Sequence, residues 1–263
     1  MDSSGHQDLA ARLMAAYTDG PIDPPSAAHP QLSLEDAYAV QTLQVERWCA
    51  SGRAVVGHKV GLTSAAMQRQ LSVNEPDYGV LFADMAHDDG GEVAASGFLQ
   101  PRIEPEIAFV LDRDLSGPGV TMAAAARAIG FVLPALEIID SRVRDWQIAI
   151  ADTIADNASS AGFVLGGRPT SVAAHDLRLV GATLTADGAL VGTGAGGAVL
   201  GSPLVALVWL ANTLGARGMS LHEGDIVLPG SVMAAQPVKP GQTWTATFAA
   251  LGSVTIEFAR ASS

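Results

Sequence analysis

A twelve-residue segment, PRIEPEIAFVLD (101–112), places two glutamates inside an otherwise apolar run. Its residues alternate in the manner of a β-strand, so Ile103 and Ile107 point to one side while Glu104 and Glu106 point to the other. Two residues along a strand span about 6.6 Å, and both carboxylates emerge on the same face. Burying them without a partner costs several kcal/mol or forces protonation. The chain must therefore fold so that this face meets solvent, an arginine or a cation.

A third carboxylate, Glu137, lies in the middle of a second apolar segment, FVLPALEIIDSR (131–142). A hard divalent cation with carboxylate ligands satisfies all three glutamates, and Glu137 is the natural third ligand. A solvated sheet face, or pairing with Arg102 or Arg142, explains the same pattern without a metal. Residue spacing alone leaves both interpretations open.

The order of predicted elements indicates an α+β fold that begins with helices. Apolar periodicity predicts helices over 7–18, 33–52, 64–71, 121–129 and 203–216. Strands are predicted over 54–62, 101–112 and 131–142, in a hairpin at 176–194 that turns at Asp187-Gly188, and in three short runs at the C-terminal end. Hairpins favour antiparallel or mixed sheets over a doubly wound parallel sheet.

Composition excludes several classes of protein. Acidic residues outnumber basic ones by 27 to 15, and no Lys/Arg run is present, which argues against partners such as nucleic acid or an anionic membrane. The lone Cys49 excludes an intrachain disulfide and a cysteine-based zinc site. The absence of a long apolar run and of a signal-peptide pattern predicts a soluble, cytoplasmic protein. The low charged fraction of 16% is typical of an oligomer or of an alanine-rich sequence.

Three further patterns bear on chemistry. The polar segments SRVRDW (141–146) and DTIADNASSAG (152–162) could line a small-molecule pocket or form capped surface loops. Lys59, between glycines in GHKVGL, could hold a substrate carboxylate or shuttle a proton, although surface lysines at strand ends are commoner. The GxGxxG pattern at 192–197 follows a hairpin strand rather than a βαβ strand, so a dinucleotide site is rejected.

Seven segments, in one order over about residues 34–260, resemble the 2-hydroxypenta-2,4-dienoate (2-keto-4-pentenoate) hydratases of the fumarylacetoacetase superfamily. These segments are GHKVGLTS (57–64), NEPDYGVLFADM (74–85), QPRIEPEIAFVL (100–111), PALEIIDSRVRDW (134–146), DTIADNASS (152–160), GTGAGGAVLGSPLVALVWLANTL (192–214) and LHEGDIVLPG (221–230). The resemblance departs at SVMAAQPV (231–238), where relatives usually carry a Gly- and Pro-rich stretch, and it leaves the length of the substrate open.

The resemblance implies a mixed β-roll with flanking helices (residues 73–263), preceded by a small helical N-terminal part (1–72). It implies that Glu104, Glu106 and Glu137 are ligands of Mg²⁺ or Mn²⁺, that Lys59 is an active-site lysine and that Asp77 is an active-site acid. Four further residues lie in matching motifs and are expected to bind substrate: Asp84, Asp156, Asn157 and Ser160.

The activity implied is that of a hydro-lyase in meta-cleavage catabolism of aromatic compounds or sterols. Water would add to 2-hydroxypenta-2,4-dienoate, through its 2-oxo-3-enoate tautomer, to give 4-hydroxy-2-oxopentanoate. The metal would act as a Lewis acid, with Asp77 as the candidate general base and no organic cofactor.

Several alternatives stay open. The protein could be a 2-oxo-3-hexenedioate (4-oxalocrotonate) decarboxylase, a hydratase for longer dienoates, or a non-catalytic partner subunit of such an enzyme. A hydrolase that cleaves C–C bonds is disfavoured, because the helical N-terminal part offers no convincing His-Glu dyad. The resemblance also implies ring-shaped homo-oligomers, pentamers or decamers, and association with other meta-cleavage enzymes.

Overall fold

Two long helices at the start of the chain pack against each other. The computed structural model describes residues 1–70 and 73–260. Helix α1 (Ser3–Asp19) is capped by the Asp2 side chain. Helix α3 (Leu34–Ala50) begins with a capping box in which Ser33 and Asp36 satisfy each other's backbone N–H groups. Both helices bury one apolar face, and α3 also packs on α6 (Ile150–Ala155), which lies beside the candidate site.

The other elements alternate between short helices and strands. The remaining helices are α2 (Pro25–Ala28), α4 (Ala65–Gln70), α5 (Met122–Ala128) and α7 (Pro203–Ala216). The strands are β1 (Val55–Gly61), β2 (Asp77–Phe82), β3 (Ala86–His87), β4 (Gly91–Ala94), β5 (Arg102–Leu111), β6 (Ile129–Ile139), β7 (Ser160–Leu165), β8 (Gly181–Ala186), β9 (Ala189–Ala195), β10 (Ile226–Leu228), β11 (Gln236–Pro237), β12 (Thr243–Phe248) and β13 (Gly252–Ala259). Within the described ranges, no helix combines the length and apolar character needed to cross a bilayer.

The larger sheet carries the candidate site. Its strand order is β2-β1-β10-β5-β6-β7-β3, and β11 pairs with β5. Most neighbours are antiparallel, but β1 pairs with β10 and β3 with β7 in parallel. Strands β2 and β7 come close together although they lie far apart in the strand order. The sheet therefore curls, and side chains on its inner face converge.

The smaller sheet has the order β4-β13-β12-β8-β9, and β12 and β13 pack near β6. Strands β8 and β9 form the predicted hairpin, whose turn residues Asp187 and Gly188 both have positive φ, at 51° and 78°. The main apolar core includes Ile103, Ile107 and Phe109, which lie on the side of β5 opposite the glutamates. A smaller apolar cluster fills the inside of the curl and contains Trp48, Phe82, Ala108, Ala135, Phe163 and Leu228.

The mixed roll with flanking helices confirms the predicted fold class. Helix α7 begins at Pro203 and ends at Ala216, as predicted, because proline is well suited to the first turn of a helix. Strand β7 was not predicted from the sequence, and residues 150–155 form a buried helix instead of a surface loop. The predicted boundary between 72 and 73 falls at the edge of residues outside the described ranges. The part before it contributes β1 to the larger sheet, between β2 and β10.

Candidate active site

Three glutamates converge on the inner face of the larger sheet. Glu104 and Glu106 project from the same side of β5, and the antiparallel register places Glu137 of β6 directly opposite Glu104. One carboxylate oxygen of each residue lies within 4.8 Å of the others. Glu106 and Glu137 are fully buried, whereas Glu104 is half-buried. The cluster is therefore open to solvent on the Glu104 side.

The carboxylate oxygens have few protein donors. Glu106 Oε2 accepts a hydrogen bond of 2.8 Å from the Gly230 N–H. Glu106 Oε1 and Glu137 Oε2 are buried and have no hydrogen-bond partner among the described residues. Buried acceptors are normally satisfied, and hard divalent cations prefer oxygen ligands of this kind. The donor set therefore fits a divalent cation held by Glu104, Glu106 and Glu137.

Burial and mutual repulsion disfavour the charged forms of these glutamates. Desolvation raises the pKa of Glu106 well above its ordinary value, and the charges of Glu137 and Glu104 raise it further. Desolvation also raises the pKa of Glu137 to about 7, although Lys59 acts in the opposite direction. Without a cation, burial and mutual repulsion favour the protonated forms of these glutamates, and a bound cation would displace the protons.

Lys59 lies on β1, and its side chain extends across the inside of the curled sheet to Glu137 on β6. It is paired with Leu228 of β10 and Gly79 of β2, and its side chain is only 4% exposed. Its Nζ lies 3.3 Å from Glu137 Oε1 and donates a hydrogen bond of 3.1 Å to the Ala158 carbonyl. Burial opposes the charge, but the surrounding carboxylates, Glu137 first, outweigh it and raise the pKa of Lys59. The side chain is therefore an ammonium.

Asp77 lies on β2 directly opposite Gly61 of β1. A Cβ atom on Gly61 would stand 2.1 Å from Asp77 Oδ1, so the carboxyl occupies space that only glycine leaves free. Burial raises the pKa of Asp77, whereas Lys59 and the Thr153 hydroxyl favour its charged form. Asp77 is 1% exposed, and its Oδ1 lacks a hydrogen-bond partner in the described part of the chain. A buried carboxyl whose pKa is raised is suited to accepting and returning a proton.

Asp156 forms a buried ion pair with Arg142. Its Oδ1 accepts from Arg142 Nε at 2.5 Å, and its Oδ2 accepts from the Arg142 backbone N–H at 3.0 Å. The guanidinium also donates to the Asp156 carbonyl at 2.9 Å and stacks over Tyr17. Both partners are 1% exposed, so this ion pair accounts for the charge of Asp156 without a substrate.

Asn157 and Ser160 are buried beside the site. Asn157 directs its side-chain amide to the backbone of Val80 on β2, with bonds of 2.8 and 3.0 Å. Ser160 begins β7, paired with Ile139, and its buried hydroxyl has no partner among the described residues. The amide of Asn157 is thus used within the protein, whereas the hydroxyl of Ser160 remains available.

Asp84 lies apart from the other candidates. It lies in the 3-10 turn that follows β2, and the strand itself already spans about 17 Å from Asp77 to Phe82. Its carboxylate pairs with Arg53 at 2.8 Å, and its side chain is 58% exposed. The structure does not bring Asp84 to the glutamate cluster.

Two nearby residues were not predicted as catalytic or substrate-binding residues, although Arg102 was considered as a partner of the glutamates and Thr153 lies in the polar segment 152–162. Thr153, on α6, acts on Asp77, and no local pattern separates it from other hydroxyl residues. Arg102 precedes Glu104 by two positions on the same face of β5, and this alternation is the signal that places it beside the glutamates. Its guanidinium lies 4.4 Å above the Trp146 ring, at a cavity of about 440 Å³ that Pro237 and Val238 also line.

The chain is similar to known proteins over most of its length. Residues 47–259 match the family model described as fumarylacetoacetate (FAA) hydrolase, C-terminal. The TodF product hydratase of Pseudomonas putida F1 is 48% identical over 231 residues, 88% of this chain and 86% of that protein. The 2-keto-4-pentenoate hydratase of Paraburkholderia xenovorans LB400 is 44% identical over 259 residues, 98% and 96% of the two chains.

Among solved structures, the chain is similar to the 4-oxalocrotonate decarboxylase from Pseudomonas putida G7 complexed with magnesium and adipate. The TM-score is 0.95 at 37% identity, and the match covers 98% of both chains.

Proposed function

Because the chain belongs to the fumarylacetoacetate hydrolase family, we propose that it is a hydro-lyase that adds water to 2-hydroxypenta-2,4-dienoate to give 4-hydroxy-2-oxopentanoate. The observation that carries this proposal is the 44–48% identity to hydratases over nearly the whole chain. The buried glutamate cluster, with Lys59 and Asp77 beside it, supplies groups suited to this chemistry. The reaction belongs to meta-cleavage catabolism of aromatic compounds or sterols.

Glu104, Glu106 and Glu137 would hold Mg²⁺ or Mn²⁺. Their position within 4.8 Å of one another and their buried oxygens without donors support this assignment. When bound, the cation supplies Lewis-acid stabilisation of negative charge on the substrate's C1 carboxylate and C2 oxygen. The opening on the Glu104 side leaves room for these oxygens to approach.

Lys59 stabilises the charge that develops on the substrate. An ammonium group has three N–H donors, of which one is given to the Ala158 carbonyl and one faces Glu137. The third can donate to the substrate carboxylate or the C2 oxygen, where negative charge grows as the diene is ketonised. Because Lys59 is buried, this interaction is not screened by water.

Asp77 acts as the general base, which transfers protons between water, the C2 hydroxyl and the carbon chain of the substrate. Burial raises the pKa of its carboxyl, so it can accept a proton from water or from the C2 hydroxyl and return it to the carbon chain. Thr153 and Lys59 favour the charged form that acts as the base. Water addition at C4 completes the reaction.

The second candidate is decarboxylation of 2-oxo-3-hexenedioate. The TM-score of 0.95 to a 4-oxalocrotonate decarboxylase favours it, and the same metal and lysine would serve both reactions. The sequence identity to that enzyme is 37%, below the 44–48% to the hydratases. Hydration is therefore the better-supported assignment.

Product analysis tests the assignment. Protein stripped with EDTA is given 2-hydroxypenta-2,4-dienoate with and without Mg²⁺ or Mn²⁺, and products are followed by NMR. We expect 4-hydroxy-2-oxopentanoate only with metal and without any organic cofactor. Lys59→Met should abolish turnover, whereas Asp84→Ala is the control that retains it. Formation of CO₂ from 2-oxo-3-hexenedioate without hydration of the pentadienoate would favour the second candidate.

The same protein is expected to form homo-oligomers. Leu179 and Leu190 are 79% and 63% exposed in the single chain and would be candidates for burial on assembly. Sedimentation velocity would give the number of subunits, and a single monomeric species at micromolar concentration would contradict the expectation.

A further inference from the structure

Three consecutive residues next to the candidate site adopt left-handed backbone conformations. Asn157, Ala158 and Ser159 have φ values of 50°, 51° and 55°. This region costs non-glycine residues about 1–2 kcal/mol each, although asparagine tolerates it better than alanine or serine. Strained backbone of this kind persists only where surrounding contacts hold it.

The Asn157 side chain supplies such contacts. Its Oδ1 accepts from the Val80 N–H at 2.8 Å, and its Nδ2 donates to the Val80 carbonyl at 3.0 Å. Asn157 is fully buried, and a Cβ atom on the adjacent Gly79 would lie 2.4 Å from the Asn157 carbonyl oxygen. The turn is therefore fastened closely against β2 at a point where only glycine fits.

The fastened turn reaches both groups that carry the proposed chemistry. The Ala158 carbonyl accepts a hydrogen bond from Lys59 Nζ at 3.1 Å, and the Ser159 hydroxyl lies 3.5 Å from that of Thr153, which acts on Asp77. The direction of a carbonyl depends on the backbone angles on either side of it. If the turn relaxed to right-handed angles, the Ala158 carbonyl would point away from Lys59.

We propose that Asn157 is a positioning residue: through its two bonds to Val80 it holds the left-handed turn whose Ala158 carbonyl orients Lys59. The amide oxygen and the amide nitrogen of Asn157 each bond to Val80 of β2, so the side chain positions the lysine through the turn and does not serve the substrate. This inference rests on the proposed function insofar as Lys59 contacts substrate.

Three variants separate the effect of the two Asn157–Val80 hydrogen bonds from the ability of residue 157 to adopt a positive φ. Asn157→Ala removes both hydrogen bonds and tolerates positive φ poorly. Asn157→Gly also removes both bonds but adopts positive φ freely. Asn157→Asp keeps an acceptor for the Val80 N–H. We expect kcat to fall about 10- to 100-fold in Asn157→Ala, because a misplacement of about 1 Å has that effect. Asn157→Gly and Asn157→Asp should recover part of this loss, and KM and the Mg²⁺ dissociation constant should stay within about twofold.

Gln41 provides a matched control. It is a second buried amide that bonds to the backbone of β2, with Nε2 donating to the Tyr78 carbonyl at 2.9 Å and to the Ile154 carbonyl at 3.0 Å. It has no hydrogen bond to Lys59 or to the 157–159 turn among the described residues. Gln41→Ala should lower the Tm as Asn157→Ala does, yet keep kcat within about twofold.

Other outcomes overturn the proposal. A rise in KM with unchanged kcat would make Asn157 a substrate-binding residue. Equal losses of kcat in Gln41→Ala and Asn157→Ala would show that Asn157 only stabilises the fold and does not position Lys59. A crystal structure of metal-loaded Asn157→Ala gives a readout that does not depend on turnover. The separation of the Ala158 oxygen and Lys59 Nζ should increase beyond hydrogen-bond distance, and an unchanged 3.1 Å would refute the inference. If the wild type lacked hydratase activity, the proposed function would fail while this distance still tested the positioning role.

Discussion

Replacing Glu137 by glutamine should change stability in opposite directions with and without metal. In the metal-free protein, burial raises the pKa of Glu137 from 4.5 to about 7. A raised carboxyl pKa means that stability is lost as pH rises through the folded-state value. The linkage relation gives a loss of about 1 kcal/mol at pH 5 and about 3 kcal/mol at pH 8. Glutamine carries no charge, so Glu137→Gln escapes this loss, and Asp77, Glu104 and Glu106 still favour the Lys59 ammonium in the variant.

Urea unfolding of wild type and Glu137→Gln in EDTA measures the difference. We expect the variant to be more stable by about 3 kcal/mol at pH 8 and by about 1 kcal/mol at pH 5. With millimolar Mg²⁺ the order should reverse, because ligand binding stabilises only the protein that retains its ligands. Glu92→Gln, at an exposed position on β4, is the control and should show neither effect. A variant that is less stable than wild type in EDTA at pH 8, or one that Mg²⁺ stabilises equally, would refute the reasoning.

Three other perturbations have expected outcomes. Burial and the nearby His222 lower the pKa of His58 to about 4, so the free energy of unfolding falls as pH drops below about 6.5. In urea unfolding, the wild type should lose about 2 kcal/mol relative to His58→Phe between pH 7.5 and pH 5. A difference between the two proteins that does not change with pH would contradict this. Asp156→Ala leaves the Arg142 guanidinium buried without its carboxylate and should cost about 3–5 kcal/mol by the same measurement, whereas a loss below about 1 kcal/mol would contradict a paired buried charge. Because the Arg53–Asp84 pair is exposed, Asp84→Ala should change the free energy of unfolding by less than about 1 kcal/mol and leave kcat/KM unchanged. A rise in KM would instead indicate that Asp84 binds substrate.

Strand periodicity made part of the site predictable. Glu104 and Glu106 share a face because side chains alternate along a strand, and the sequence of β5 displays that alternation. The position of Glu137 opposite Glu104 depends on the register between β5 and β6, which no local pattern reveals. The sequence could therefore suggest a third ligand without establishing the contact.

The roles of Asp156 and Asn157 in the polar segment 152–160 could not be predicted, because their hydrogen-bond partners are distant in sequence. Asp156 and Asn157 looked equivalent in sequence as candidates for binding substrate. In the structure one pairs with Arg142 and the other bonds to the backbone of Val80. Both partners lie outside the segment, so burial could not be deduced from its polar composition. The resemblance supplied the fold and the candidate ligands, but the packing around each side chain required the structure.

The position of β10 in the curled sheet determines when the site can form as the chain is synthesised. The glutamates come from β5 and β6, neighbours in sequence that pair as soon as residue 139 has emerged. Lys59 belongs to β1, which joins β5 only through the three residues of β10, Ile226–Leu228. A nascent chain can thus pair the strands that carry the carboxylates before β10 connects β1 to them within the sheet. Truncation before residue 226 should leave Lys59 held only by the contacts of β1 and β2 with the 157–159 turn, without its connection to β5.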